Sequence, residues 1–409
     1  MNFRILKKWR LLLGCFVLFW AATTAQANHH VIDRGWVVDP DGELSLQAVQ
    51  QLPEKKLSGN LFGSGYSNAT FWIRLHIDPA NFAQTDPNQS LIIKIRPAYQ
   101  DRVWLFDPLS PDQRERVTGD FVDWSNDEWQ SLNLGFVVPL GSAPRDVWLK
   151  LKTYQALYTM IDVLTEPEAK AADRRQETWS TFYMALLLFV LAWSALTWLR
   201  ERDPLIGWFA IRTFCATIYV FALLGYVRMF ASNLIPPIYL DAFFNFSQWF
   251  LTAAALLFDS KLLEEFKANR WLVKAIRLLT LALPIELIAF ALGDTGIGVR
   301  INYYIIVVAL LLVFITTLST RAWKIARHTG IPKPVVPKPV FVGLYSIGLL
   351  ILVHNRLAIL GLIPAPDNLL DYAILYPLPI TILMMLLLQL RSYRLRKVCI
   401  SRQIDELNG

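Results

Sequence analysis

The chain has 409 residues, of which 54% are hydrophobic, and its formal net charge is +7. This hydrophobic fraction is too high for an ordinary soluble globular protein, so membrane-spanning segments are expected. No nucleic-acid partner is predicted.

The first 27 residues have the pattern of a signal peptide. Four positive residues (Arg4, Lys7, Lys8 and Arg10) precede an apolar run from Leu11 to Trp20 and the small-residue cleavage site Ala25-Gln26-Ala27. An uncleaved anchor is the open alternative. The exported segment that follows contains no cysteine, so it must be stable without disulfide bonds.

Residues 28–175 are predicted to form a periplasmic all-β domain of the jelly-roll or β-sandwich type. Within 71–77, apolar residues alternate with Trp72, Arg74 and His76, which is the period of two of a strand with one buried face. The alternation recurs at 90–96, 102–106 and 146–152, and turn-forming residues separate these stretches. Many short strands without long helices are typical of a sandwich.

Seven apolar segments follow a charged connector at 166–177, and each is close to the ~20 residues that span a bilayer as a helix. They lie at 179–198, 205–227, 238–258, 272–292, 302–320, 340–361 and 370–390. A seven-helix transmembrane domain over 178–391 and a short cytoplasmic helical tail, 392–409, are therefore predicted.

Basic residues predict the orientation of these spans. The loops and tail on one side hold sixteen lysines and arginines, whereas the opposite loops hold only Arg228 and Arg300. Because cytoplasmic segments are enriched in Lys and Arg, the β domain is predicted to be periplasmic and the C-terminus cytoplasmic, in a bacterial inner membrane.

Several short stretches together resemble one known family. They are NATFWIRL at 68–75, RPAYQDRVWLFD at 96–107, Thr118-Gly119-Asp120, and Asn355-Arg356-Leu357 with LGLIP at 360–364. With the order of the two halves, they are similar to the bacterial seven-transmembrane receptors with diverse intracellular signalling modules (7TMR-DISM). The resemblance implies a sensor domain for carbohydrates or other small ligands and a membrane half that passes its state to a cytoplasmic kinase, cyclase or phosphatase.

The sequence departs from this family pattern after the last span. It contains no phosphoacceptor-histidine box, cyclase motif, phosphodiesterase motif or P-loop. We therefore expect no enzyme activity, no catalytic residue and no cofactor, and we expect a separate cytoplasmic signalling protein to do the chemistry.

A dense mixture of aromatic and acidic residues marks the candidate ligand site of the exported domain. Tryptophan faces stack on sugars, and carboxylates accept hydroxyl hydrogen bonds or bind Ca²⁺. The alternative is a plain polar loop whose tryptophans fold back into the core, and the metal question stays open. The candidates are Tyr99, Asp101, Arg102, Asp120, Asp123, Trp124, Asp127 and Trp129.

Polar residues inside the predicted spans form a second candidate set: Glu286, His354, Asn355 and Arg356. A charged group in hydrocarbon costs a few kcal/mol, so it normally faces a partner inside the bundle. An ion pair between Glu286 and Arg356, at similar predicted depth, would couple the exported domain to the bundle. A static clamp, or Arg356 reaching the headgroups, is the alternative.

Apolar residues at alternating steps of four and three continue from the last span into the tail, interrupted by Lys397: Leu386, Leu390, Tyr393, Ile400, Ile404 and Leu407. This seam allows a helical extension and a homodimer, and a simple basic stop anchor is the alternative. The predicted function is a receptor that relays an external ligand, such as a carbohydrate or Ca²⁺, to that separate signalling protein. The alternatives are a membrane transporter and a ligand-independent scaffold.

Overall fold

The computed structural model of the chain describes residues 31, 33–57, 59–82, 87–110, 115–155, 157–292, 295–329, 334, 336–359 and 377–408. The predicted signal peptide, residues 1–27, lies outside them.

The N-terminal part of the described chain is built from two antiparallel β-sheets. A six-stranded sheet has the order β2-β1-β4-β9-β6-β7, and a four-stranded sheet has the order β3-β10-β5-β8. The strands are β1 Arg34–Asp39, β2 Lys55–Lys56, β3 Leu61–Gly65, β4 Thr70–Ile77, β5 Ser90–Arg96, β6 Arg102–Phe106, β7 Arg116–Thr118, β8 Leu134–Pro139, β9 Arg145–Lys152 and β10 Leu157–Thr165. The alternation in the sequence therefore predicted β4, β5, β6 and β9 to within a residue.

One hydrophobic core lies between the sheets. Its side chains come from both: Phe71, Ile73, Leu75 and Ile77 of β4, for example, pack in the same cluster as Leu91, Ile93 and Ile95 of β5. Each strand contributes every second residue to this cluster because successive side chains of a strand point to opposite faces.

The opposite face of β4 is more buried than the alternation predicted. Trp72 is enclosed with Val37 and Trp148 beneath a short helix, α1 Leu46–Val49, in a second small core. Its indole N–H donates to Asp39 at 3.4 Å. The expectation of a single buried face was wrong here because a connection between β1 and β2 folds over the outside of the sheet.

The C-terminal part is helical. Its α-helices are α2 Glu166–Glu201, α3 Pro204–Leu223, α4 Tyr226–Ala231, α5 Pro237–Glu265, α6 Arg270–Leu279, α7 Leu283–Ala291, α8 Thr295–Leu318, α9 Ala322–Thr329, α10 Lys338–Ile359 and α11 Pro377–Asn408. A 3₁₀ turn, Thr280–Ala282, joins α6 to α7.

Four helices of the described chain are long and apolar enough to cross a membrane: Glu166–Glu201, Pro204–Leu223, Gly296–Ala326 and Leu378–Lys397. A shorter apolar helix covers Lys338–His354. These four include or overlap four of the seven predicted spans, and the other three stay a prediction.

Helix α2 joins the two parts without a flexible linker. It begins directly after β10 with a capping box, in which Thr165 and Glu168 satisfy each other's backbone N–H groups. Its first turns pack on the four-stranded sheet, where Lys94 of β5 donates to Asp173 at 2.5 Å. The connector predicted at 166–177 is therefore helix that is fixed to the β domain.

Candidate functional site

The loops at one end of the β domain rest on helices α4 and α5, and we call this contact region the junction. Its central ion pair joins Arg228 of α4 to Asp127, with Nη1–Oδ2 at 2.6 Å and Nη2–Oδ1 at 2.9 Å. The guanidinium also donates to the carbonyl of Val122. Thr118 donates to Asp127 at 2.6 Å. Both side chains of the ion pair are buried, so this contact is a specific lock between the two parts.

A network of amides and carboxylates continues the junction onto α5. Gln155, in the loop between β9 and β10, donates to Asn245 at 2.8 Å and to Asp241 at 3.5 Å. Asn245 in turn donates to Asp241 at 3.1 Å. Asp241 and Asn245 are one helical turn apart, so they present adjacent polar groups to the same loop.

Two carboxylates of the β domain lie beside Asp241. Asp101 accepts hydrogen bonds from the Thr153 hydroxyl at 2.9 Å and from the Tyr154 backbone N–H at 2.8 Å. Burial and the charge of Asp241 raise the pKa of Asp101 to about 7. Burial and the charges of Asp101 and Asp241 also raise the pKa of Asp120. The junction therefore holds carboxyl groups away from water, where their protonated forms are favoured.

Aromatic rings and a glycine complete the contact. Tyr99 stacks on Phe244 of α5 with ring centroids 5.8 Å apart, and Tyr219 of α3 stacks on the same ring. Gly225 has φ of +86°, and a Cβ there would lie 2.4 Å from the carbonyl oxygen of Leu132. The close approach of the two backbones therefore requires glycine at this position.

A second, smaller contact lies at the start of α8. Arg300 donates to the side chain of Asn68 at 2.7 Å, and Tyr303 packs edge-on against Tyr66 at 5.1 Å. The β domain thus touches the helices here as well as at the junction and through α2.

The structure distributes the predicted ligand residues over four places. Tyr99, Asp101, Asp120 and Asp127 lie at the junction, and Trp124 joins them through its backbone N–H, which donates to Ser232 at 3.1 Å. Trp129 lies against α2 and donates to Asp173 at 2.7 Å. Arg102 is exposed on β6, and Asp123 is half-buried before the 3₁₀ turn at Trp124–Asn126.

Two family models match the chain, one on each side of the boundary between the β domain and the helices. The model described as 7TMR-DISM extracellular 2 matches residues 35–165, and the one described as 7TM diverse intracellular signalling matches residues 176–330.

The chain belongs to the 7TMR-DISM family. It is a membrane protein with an extracellular N-terminal domain, as expected of a transmembrane signalling receptor of this family. A search of curated proteins found no match.

In this 7TMR-DISM protein, the junction is where the extracellular domain meets the membrane domain. Its partners on the membrane side (Arg228, Asp241 and Asn245) and the loop residue Gln155 were not among the predicted site residues. One signal could have found Arg228: it is one of only two basic residues in the predicted extracellular loops. Asp241 and Asn245 offered a second signal, two polar residues spaced i and i+4 in an apolar span.

The structure describes the side chains of only two of the four predicted intramembrane residues. Glu286 of α7 is buried and forms a hydrogen bond with Asn302 of α8, which accepts from Thr252 of α5 at 3.3 Å. His354 of α10 is exposed. The side chains of Asn355 and Arg356 lie outside the described part of the chain, so the ion pair between Glu286 and Arg356 stays a prediction.

The opposite end of α5 contacts the last helix. Arg391 of α11 donates to Glu265 of α5 at 2.5 Å and also bonds Asp203, in the turn before α3. One turn further along α11, Arg396 pairs with Glu201 at 2.9 Å. We call this group of charges the distal clamp. Helix α5 is therefore bonded to the extracellular domain near one end and to α11 at the other.

The described residues also offer no cluster of side chains suited to a metal ion. Within the residues that the structure describes, no group of three or more His, Cys, Asp and Glu side chains is placed to hold a metal ion.

Proposed function

We propose that this protein is a receptor whose extracellular domain changes its seating at the junction and thereby moves α5 against α11. The observation that carries the proposal is the pair of contacts on α5: Gln155 binds it near one end, and Arg391 binds it at the other. Asp241 and Glu265 are separated by about 36 Å at a rise of about 1.5 Å per residue, which exceeds a bilayer core.

Two different kinds of attachment of the β domain support this relay. Helix α2 is fixed to the sheet by the pair of Lys94 and Asp173, whereas the junction is a separate set of polar contacts on α4 and α5. A change in the loops at 99–102 and 119–129 would therefore shift α5 relative to α2. Two conformations favoured differently by ligand are sufficient for signalling.

Several finer features belong to the same proposal. The β domain would be a periplasmic jelly roll that binds a carbohydrate, another small molecule or Ca²⁺, and the helices would form seven spans of a bacterial inner membrane. The C-terminus of α11 would then be cytoplasmic, as the distribution of basic residues favours.

Helix α11 would present the output to a separate cytoplasmic kinase, cyclase or phosphatase. Tyr393 and Ile400, one heptad apart, are 66% and 56% exposed on this helix. Apolar side chains at this spacing on a solvent-facing helix favour a contact with another protein, either that partner or a second copy of the receptor.

The transporter alternative is supported by one observation. Thr252, Asn302 and Glu286 form a buried polar chain across α5, α8 and α7. Uptake of a labelled substrate into vesicles that contain the purified protein would favour transport. Absence of uptake across a solute panel would leave the receptor as the better account.

The relay can be tested with the native thiol of Cys399. In full-length protein carrying Cys15→Ser and Cys215→Ser in lipid nanodiscs, the maleimide-labelling rate of Cys399 would be compared before and after Gln155→Ala. We expect the rate to change severalfold, because the variant breaks the junction bonds to α5. The matched control is Gln130→Ala, which removes a surface hydrogen bond of the same domain. Equal rates in all three proteins would contradict the relay.

A further inference from the structure

Three carboxylates from both parts of the protein meet at the junction. Asp101 and Asp120 lie in loops of the β domain, and Asp241 lies on α5. Asp101 and Asp241 are only 5% and 7% exposed. After burial, the charge of Asp241 raises the pKa of Asp101, and the charges of Asp101 and Asp241 raise the pKa of Asp120.

The positive charge at this place is insufficient to balance them. The charge of Arg228, on α4, acts on Asp120, but both terminal nitrogens of Arg228 already bond Asp127. Arg102, next in the chain to Asp101, is exposed on β6. From α3 and α5, the stacked rings of Tyr219 and Phe244 pack beside Tyr99, and the amide of Asn245 bonds Asp241. None of these three groups is a cation.

One buried carboxylate oxygen of this cluster has no donor among the described residues. Asp101 and Asp241 accept hydrogen bonds from protein donors, but Oδ1 of Asp120 is buried and has no hydrogen-bond partner among the described residues. The neighbouring side chain of Gln100 is 1% exposed, and neither of its amide atoms has a partner there. A buried acceptor without a donor costs about 1–3 kcal/mol, and protonation of the carboxylate lowers the cost of burying it.

We propose that the buried cluster of Asp101, Asp120 and Asp241 binds a proton that closes the junction, so that extracellular pH controls the seating of the β domain. The proton site itself does not depend on the proposed function, whereas its effect on signalling rests on that function. Neighbouring carboxylates in a water-poor site cannot all ionise, so loss of the proton leaves charges that repel across the contact.

The direction of the pH effect follows from the raised pKa of Asp101, about 7, against an ordinary aspartate value near 4 in a solvated loop. The closed junction binds more protons than the open one between these values. Protonation therefore favours closure fully below about pH 4, and this contribution is lost as the pH rises through about 7.

Hydrogen–deuterium exchange of the full-length protein in neutral-lipid nanodiscs tests this proposal. Protection factors of residues 99–103, 153–155 and 225–245, corrected for intrinsic exchange, would be measured from pH 5 to pH 9. In the wild type we expect the protection of these segments to fall with rising pH, by up to about tenfold per pH unit for one proton, until the junction is open. A protection profile that is flat over this range in the wild type overturns the proposal by itself.

Two variants identify the groups. Asp120→Asn supplies an N–H donor in place of the orphan oxygen, and Asp241→Asn removes one of the three charges. Each should raise junction protection at pH 8 and flatten its pH dependence, whereas Asp41→Asn, at an exposed aspartate, should leave the profile unchanged. If both variants that fold keep the wild-type profile, the assignment is wrong.

The labelling of Cys399 separates this proposal from the relay. A junction that responds to pH while Cys399 labelling stays constant under Gln155→Ala would contradict the relay and support the proton site. Constant junction protection with labelling that depends on Gln155 would contradict the proton site alone.

Discussion

Arg228 of the membrane domain and Asp127 of the extracellular domain form a buried ion pair with two hydrogen bonds, although 101 residues separate them in the chain. The Asp127 side chain has no exposure to solvent, and that of Arg228 has 6%. Such a pair is specific because each charge is costly to bury without the other. It therefore fixes one orientation of the extracellular domain on α4.

Loss of the cation in this pair should open the junction. Arg228→Met leaves Asp127 buried without its partner, and we expect a penalty of about 3–5 kcal/mol against the seated state. This penalty is measured by thermal unfolding of the protein in nanodiscs and by hydrogen–deuterium exchange of residues 225–245. The control is Arg300→Met at the second contact, where a single exposed hydrogen bond to Asn68 is lost and the expected change is below about 1 kcal/mol. Equal effects of both variants would contradict the role of the ion pair.

The tight backbone approach at Gly225 predicts a defect that involves no charge. Gly225→Ala places a methyl group 2.4 Å from the Leu132 carbonyl at a φ of +86°, so the loop and α4 must separate. We expect faster hydrogen–deuterium exchange of the loop that contains Leu132 and of α4. Gly343→Ala is the matched control, because nothing lies within 4 Å of its Cβ and alanine favours a helix by about 1 kcal/mol. Unchanged exchange in Gly225→Ala would show that the approach is not needed.

The attachment of α2 depends on a buried lysine. Lys94 is 2% exposed and pairs with Asp173, which also accepts from Trp129. Asp173→Ala leaves the Lys94 ammonium group buried without its ion-pair partner. We therefore expect it to destabilise the extracellular domain by about 3–5 kcal/mol, as measured by thermal unfolding.

A second substitution provides the check on this attachment. Lys94→Met added to Asp173→Ala removes the stranded charge and should restore most of the stability. Lys170→Ala, which breaks a surface pair with Glu166 in the same helix, should cost no more than about 0.5 kcal/mol. Failure of the double variant to recover would mean that the pair does more than neutralise Lys94.

The distal clamp should restrain the last helix. Arg391→Glu places a carboxylate beside Glu265 and Asp203, so α11 should detach beyond this point and become more sensitive to limited proteolysis. Adding Glu265→Arg should restore the contact only in part, because Asp203 remains. Lys397→Glu, at an exposed position of the same helix, is the control. Proteolysis that is equally fast in the control would argue against the clamp.

Sequence patterns predicted the elements of this protein better than their contacts. The strands over 70–77 and 90–96 follow from alternation alone, because one face of each packs in the core. The alternation placed Trp72 on the solvent face, but Trp72 is buried because a helix from a different part of the chain covers it. The helical bundle followed from runs of apolar residues, which report burial or lipid contact without saying which helices touch.

The junction could be predicted only on one side. Asp120 and Asp127 attracted attention because aromatic and acidic residues are concentrated around them, and Tyr99 and Asp101 as a second possible ligand edge. The sequence left an external ligand and a plain polar loop open as alternatives. Their partners on α4 and α5 follow far along the chain, and no local pattern joins residues at that separation. A buried polar cluster at an interface between domains and an open ligand site have the same residue types, so the three-dimensional structure is needed to distinguish them.

The most direct test of the account is the distance between α5 and α11 when the junction is intact and when it is broken. Spin labels at Lys261→Cys and Tyr393→Cys, both exposed positions, would be placed in full-length protein without its native thiols and measured by double electron–electron resonance in nanodiscs. The account predicts that Arg228→Met shifts the distance distribution, whereas Arg300→Met does not. A distribution that is the same in the wild type and in Arg228→Met would contradict transmission through α5.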